Sequence, residues 1–211
     1  FHDYNPKLGE QIRADEALAD QYEDQLGTYL VQLSSHELAQ KDSQELSGLL
    51  RIIGDFERIS DHAVNLLESA EEIRDKKLAF SGVAERELRV MFDAVSEVLT
   101  LSERAFCEAD DQAAARVEPL EQVVDLLRDQ LKVRHIERLR QGKCTIELGF
   151  VLSDMLTDLE RVSDHCSNIA ACIVEVAHNA MDMHGYLNGL NKEKGSTYQM
   201  NYQTYLEKYT L

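Results

Sequence analysis

The sequence predicts an all-α protein, an antiparallel bundle of long helices, on three observations. Ala, Leu, Glu, Gln and Arg, which lose little rotamer freedom in a helix, are abundant, whereas 211 residues hold only two Pro, ten Gly and no Trp. Apolar residues recur with the helical period over stretches of about thirty residues, the length of a bundle helix. Turn chemistry is confined to a few short interruptions.

Taken in order, Pro6 suits a first helical turn, where its missing N–H costs nothing, and opens a helix to about Ser34. Asp42 or Ser43, with Glu45 close behind, resembles a capping arrangement for a second helix reaching about Ile73. Residues 74 to 82 form the clearest polar linker. A third helix is expected from Glu85 to Glu108. Asp110 or Asp111 caps a fourth that runs to Arg140, with Pro119 removing one backbone donor inside it and a kink expected there. Gly142 ends it, since glycine readily takes the left-handed conformation. A fifth helix runs from Thr145 to about Met181. Gly185, Gly189 and Gly195 then punctuate a polar, Tyr-rich tail with one short helix around residues 198 to 209.

Two of these helices carry near copies of one motif. Asp55-Phe-Glu57-Arg58-Ile-Ser60-Asp61-His62-Ala-Val-Asn65 and Asp158-Leu-Glu160-Arg161-Val-Ser163-Asp164-His165-Cys-Ser-Asn168 are identical at seven of eleven positions, 103 residues apart. Upstream, Glu16-Ala-Leu-Ala-Asp20 aligns with Glu121-Gln-Val-Val-Asp125 at an offset of 105. Each repeat therefore holds two Glu-x-x-x-Asp pairs on successive helices. We expect a first unit over 1–78, a second over 79–181 and a tail over 182–211. By the same offset, the counterpart of the helix at 85–108 falls mostly before Phe1. The first unit is thus expected to be short of a helix and to expose apolar surface unless the tail helix, an omitted segment or a second copy in a homodimer covers it.

Composition narrows the function classes. A formal charge of -17 repels phosphate backbones and anionic lipid, so nucleic acid is a poor partner and cations or basic surfaces are better ones. Cys107, Cys144, Cys166 and Cys172 show no CxxC spacing, which argues against a zinc knuckle or a disulfide framework and fits a reducing setting. No apolar run has the length of a membrane span. Gly-rich phosphate loops, nucleophile elbows and His-Glu-x-x-His are absent from the sequence, so no enzyme is expected.

Glu and Asp four apart stand one turn above each other, so each pair aims two carboxylates at one spot. Glu57, Asp61, Glu160, Asp164, Glu16, Asp20, Glu121 and Asp125 are therefore candidate metal ligands. Oxygen donors suit Mg, Ca or Mn, and iron or zinc where carboxylates bridge. An isolated pair of this kind is ordinarily a solvated face; preservation of the polar positions through a duplication favours binding. Arg58 and Arg161 point off the pair and suit inter-helix salt bridges. His62 and His165 suit packing or a hydrogen bond rather than ligation, and Asn65 and Asn168 extend the site or bond the next helix. Leu49, Ile52, Ile53, Phe56, Ala63 and Leu67 are the expected buried stripe. His36, His135, His178 and His184 have no repeat partner and default to the surface.

The two Asp-x-Glu-Arg motifs with their upstream Glu-x-x-x-Asp helices resemble the PhoU family over about residues 8 to 178. The resemblance implies a duplicated three-helix bundle whose acidic motifs hold iron or zinc, the eight acids above being the ligands. It also implies a negative regulator of phosphate uptake. The tail, with Tyr186 and the closing Tyr205-Leu-Glu-Lys-Tyr209, is similar to the cytosolic C-terminal extension of bacterial Na/phosphate cotransporter-family proteins. That implies a regulatory module at the cytoplasmic face of the membrane, partnered with the membrane-embedded part of a phosphate transporter. A stand-alone PhoU-type adaptor and a metal-dependent phosphohydrolase are the alternatives.

Overall fold

Asn5 accepts a hydrogen bond from the Lys7 backbone N–H, and with Pro6 next in line it starts α1 (Pro6–Ser34). The structure, a computed structural model, describes residues 4–178 and 195–211. α2 (Gln40–Asp75) begins before the expected Asp42 or Ser43 cap: Ala39 holds the cap position, and Asp42 lies in the first turn, where its charge complements the helix N-terminus. α3 (Gly82–Glu108) also opens early, because Ser81 Oγ accepts from the Ala84 N–H at 3.3 Å. Ala109, left-handed at φ 50°, stops α3, and Asp110 caps α4 (Asp111–Arg140) by accepting from Gln112 and Ala113.

The helix α4 runs on through a buried Pro119 as one element. Gly142 follows it with φ 66°, as its position predicts. Thr145 Oγ1 accepts from the Leu148 N–H at the start of α5 (Ile146–His178). The expected end of α5 at Met181, together with Gly185, Tyr186, Gly189 and His184, falls outside the described residues. The last helix is α6 (Gly195–Lys208). Among the described residues there is no strand, and no helix is long and apolar enough to cross a membrane.

The main core lies between α3, α4 and α5. Leu88, Met91, Val98, Val117, Leu120, Val124, Leu127, Met155, Leu156 and Leu159 are almost wholly enclosed there. α3 and α4 are further clamped by buried Glu87, which accepts from Arg134 at 2.9 Å and Arg138 at 2.6 Å. α6 covers α4: Tyr205 and Tyr209 are buried, Arg116 Nε donates to Tyr205 Oη at 2.9 Å, and Tyr209 Oη and Lys208 both bond Glu97 of α3. The aromatic tail is therefore a docked helix, and it docks on the second half of the chain.

The first half is a hairpin. Among the described elements α1 packs on α2 alone, while α2 packs on α5 through Ile52, Ile169 and Cys172. Gly48 brings the helices close, since a Cβ there would lie 3.0 Å from Cys172 Sγ. The expected stripe on α2 is only partly buried: Ile52 and Leu67 are enclosed, Ile53 is intermediate, and Leu49, Phe56 and Ala63 are exposed. The cover on that side is partial: Phe56 meets the ring of Phe106 from α3, edge-on at 5.1 Å, and remains 38% exposed. α1 shows it most clearly. Leu18, Tyr22 and Leu26 are exposed, whereas Val123, Leu127 and Leu131, their counterparts 105 residues later, are buried in the main core; Leu26 is 45% exposed and Leu131 1%.

His135 corrects another expectation. It is buried, because Gly149 opposite it has no side chain: a Cβ there would lie 2.7 Å from His135 Nε2.

Candidate functional site

On an α-helix, residues i, i+7 and i+10 share a side, at about 100° per residue, while i+2 and i+6 fall on the other. The repeated motif therefore carries two polar faces. Asp55, His62 and Asn65 occupy one and Glu57 with Asp61 the other, and the same holds for Asp158, His165 and Asn168 against Glu160 and Asp164.

The first face joins the two copies. Asp158 Oδ1 accepts from His62 Nδ1 at 2.8 Å and from Asn65 Nδ2 at 3.1 Å. Reciprocally, Asp55 Oδ1 accepts from His165 Nδ1 at 2.8 Å and from Asn168 Nδ2 at 3.4 Å. A carboxylate only accepts, so each imidazole carries its proton on Nδ1. The two rings stack between the pairs, with centroids 5.7 Å apart and planes at 28°. This cross-pairing runs 55 to 165 and 62 to 158, which sets α2 and α5 antiparallel. His62, His165, Asn65 and Asn168 are thus the bonding partners of the opposite helix. Asp55 and Asp158 are the residues that sequence reasoning passed over. Their signal was present, since both are identical across the repeat and lie seven residues before the His.

The second face carries the acids. In the second half, Glu121 and Asp125 from α4 meet Glu160 and Asp164 from α5. Burial pushes the Glu121 carboxyl up to about 7, with Asp125, Asp164 and Glu118 adding to the effect. Burial, then the charge of Asp164, holds Glu160 above the ordinary carboxylate range, and burial with the charge of Asp125 does the same for Asp164. Arg128 lies among them, 2.7 Å from Glu160 Oε1 and 3.1 Å from Asp125 Oδ1.

In the first half, burial and then Asp61 raise the Glu57 carboxyl, and Glu23 of α1 contributes further. Glu16 is half-buried and Asp20 exposed on α1. On α1 it is Glu23 whose charge bears on the first pair. Arg58 is 3.5 Å from Glu57, and Arg161 is 3.8 Å from Glu160 and 3.4 Å from Asp164. Both arginines serve carboxylates of their own helix, not the inter-helix bridges expected. Arg161 meets Asp164 because residues three apart are neighbours on a helix surface.

These donors are hard oxygens, suited to a divalent cation or to iron or zinc. Among the described residues no three His, Cys, Asp or Glu side chains stand together in a geometry that holds a metal ion. Glu57 and Asp61 form a close pair, with the charge of Glu23 beside them. The second quartet is a poorer fit, because a guanidinium already lies against two of its carboxylates.

The family model described as PhoU domain matches residues 1–70 and 88–173. A relative from Thermotoga maritima, the phosphate-specific transport system accessory protein PhoU homolog 1, is 30% identical over 148 residues. The match takes in 70% of this chain and 62% of that protein, so the chain spans about three-fifths of its length. The phosphate-specific transport system accessory protein PhoU homolog of Borreliella burgdorferi is 27% identical over 168 residues, 75% of this chain and 72% of that one. The crystal structure of PhoU from Pseudomonas aeruginosa superposes with a TM-score of 0.76 at 20% identity, covering 82% of this chain and 83% of that one, a likeness of fold. With the matched segments spanning both copies of the motif and their upstream acidic helices, the chain belongs to the PhoU domain family.

Proposed function

We propose that the chain is a non-enzymatic regulatory module of a phosphate transport system. In this reading it sits at the cytosolic face of the membrane, packs against the membrane-embedded part of the transporter, and holds a metal ion through its acidic helix pairs. The observation that carries the reading is the family match across both repeats, supported by relatives whose names place them as accessory proteins of phosphate-specific transport. The ion is iron or zinc, with other divalent cations accommodated by the same oxygens. The transporter is of the Na/phosphate cotransporter family, a reading supported by the Tyr-rich tail that docks on α4 through Tyr205 and Tyr209. Metal occupancy biases transport only so far as the ion binds two arrangements of the module with different affinity.

Repeat units over 1–78 and 79–181 with a tail from 182 fit the offsets of the motif, and the tail's docking on α4 makes it an accessory to the second unit. The uncovered α1 stripe supports a homodimer in which a second copy covers Leu18, Tyr22 and Leu26. Deleting residues 1–211 from the full protein, in cells given labelled phosphate, tests the main reading. Uptake, or its control by external phosphate, is expected to change; unchanged flux and unchanged control would refute it. Elemental analysis of the purified protein, with Glu57→Gln and Asp61→Asn as controls, tests the metal. Should uptake itself stay normal while phosphate-dependent gene expression shifts, the stand-alone adaptor is the better reading.

A further inference from the structure

The two acidic sites differ at one matched position. Glu16, Asp20 and Glu23 of α1 correspond, 105 residues on, to Glu121, Asp125 and Arg128 of α4. In the second half the Arg128 guanidinium, 22% exposed, touches acids of both helices: Glu160 of α5 at 2.7 Å, and Asp125 and Asp129 of its own helix at 3.1 and 3.0 Å. In the first half Glu23 stands at that position and adds negative charge beside Glu57. The nearest cation there, Arg58, sits 3.5 Å from Glu57 and is 64% exposed, on the solvent side of the pair.

We infer that Arg128 is the resident cation of the second acidic site, so that the duplicated sites have diverged: one is closed by the chain's own guanidinium and one is left open to a metal ion. A guanidinium cannot shed its proton at any ordinary pH and offers no lone pair to a metal. A divalent ion entering the second quartet would face a fixed positive charge beside its own ligands. Displacing Arg128 would leave a mostly buried charge without its partners, which costs more than a surface ion pair is worth. In the first half no such charge has to move. The open half of the inference rests on the metal-binding reading above; the closed half rests on the ion pairs alone.

The test has a metal-free arm and a metal arm. In buffer with chelator, Arg128→Met lowers the melting temperature, and Glu160→Gln recovers part of that loss in the Arg128→Met background while lowering it in the native one. Glu160→Gln costing the same in both backgrounds overturns the resident-cation assignment. In the metal arm, protein is dialysed against Mn²⁺ and then against metal-free buffer, and bound Mn²⁺ per chain is measured. The native chain retains at most one equivalent, lost in Glu57→Gln and unchanged in Glu160→Gln. Arg128→Glu, which restores the residue type of position 23, gains a further equivalent that Glu160→Gln removes.

Native protein losing Mn²⁺ on Glu160→Gln overturns the inference and leaves the metal reading standing. A native chain without Mn²⁺, alongside an Arg128→Glu chain that holds one equivalent, upholds the closed site and sinks the metal reading of the first half. Arg128→Glu that folds, by its circular dichroism and melting curve, yet gains no Mn²⁺ overturns the claim that Arg128 is what closes the second site.

Discussion

Replacing Asp158 by Ala removes the acceptor for His62 and Asn65 and so tests whether the α2–α5 joint is held by the repeated motif. The two bonds, 2.8 and 3.1 Å long, go to one carboxylate oxygen that is largely out of solvent. A hydrogen bond to a charged group contributes about 1.5–3 kcal/mol, and a buried donor left unpaired loses that contribution in full. His62 is mostly buried and loses it; Asn65 is exposed, and water replaces most of its bond. Asp158→Ala is therefore expected to cost about 2–4 kcal/mol. Asp55→Ala should cost somewhat less, about 1.5–3 kcal/mol, because the Asn168 bond is long at 3.4 Å and exposed. The stacked imidazoles lie between the two locks, so the double variant should depart from additivity by roughly 0.5 kcal/mol or more. Urea unfolding reads these values as a shift in midpoint at constant slope. Asp158→Asn, which keeps an oxygen acceptor, should recover part of the loss, and exposed Asp154→Ala on the same helix should stay within about 0.5 kcal/mol of native. Asp158→Ala indistinguishable from Asp154→Ala would show that the cross-paired motif does not hold the halves together.

Three further outcomes follow from the same geometry. Glu121 keeps its proton up to about 7 in the folded chain and releases it near pH ~4.3 when unfolded. The folded protein therefore loses stability as pH rises through that window, and Glu121→Gln should gain roughly 1–3 kcal/mol above pH ~7.5 with little gain near pH ~4, measured in chelator by denaturant titration. Leu131→Ala should cost about 2–5 kcal/mol, whereas Leu26→Ala at its repeat counterpart should cost under about 1 kcal/mol in the monomer; comparable losses would mean that something covers α1 in solution. Gly149→Ala drives a methyl into His135 Nε2 and should lower stability by roughly 1–3 kcal/mol, and a variant as stable as native would show that the imidazole swings aside freely.

How far the sequence could be read depended on what each residue answered to. Pro6, Asp110 and Gly142 act through their own backbone, so their positions marked helix ends directly. Asp42 and Ser43 had the right chemistry for a cap, but α2 extends upstream of them to Ala39, which contributes no side-chain bond at all. The buried stripe of α2 was misjudged because periodicity identifies an apolar face without identifying its cover; Leu49 and Phe56 belong to that face and stay open. At the motif, attention to acid pairs four apart picked out Glu57 and Asp61 and missed the i, i+7, i+10 set of Asp55, His62 and Asn65. That set was as visible in the repeat, but its meaning depends on a partner helix running the other way. His135 was unreadable for a related reason, since its burial is permitted by the absence of a side chain at Gly149, distant on the other arm of a turn.

The crossed Asp–His–Asn contacts also limit how the two halves can be rearranged. A slip of α2 along α5 by one helical turn, ~5.4 Å, would break all four of those bonds at the same moment. At smaller offsets the same four bonds lengthen together, so the seam behaves as a detent that favours one setting of the two helices.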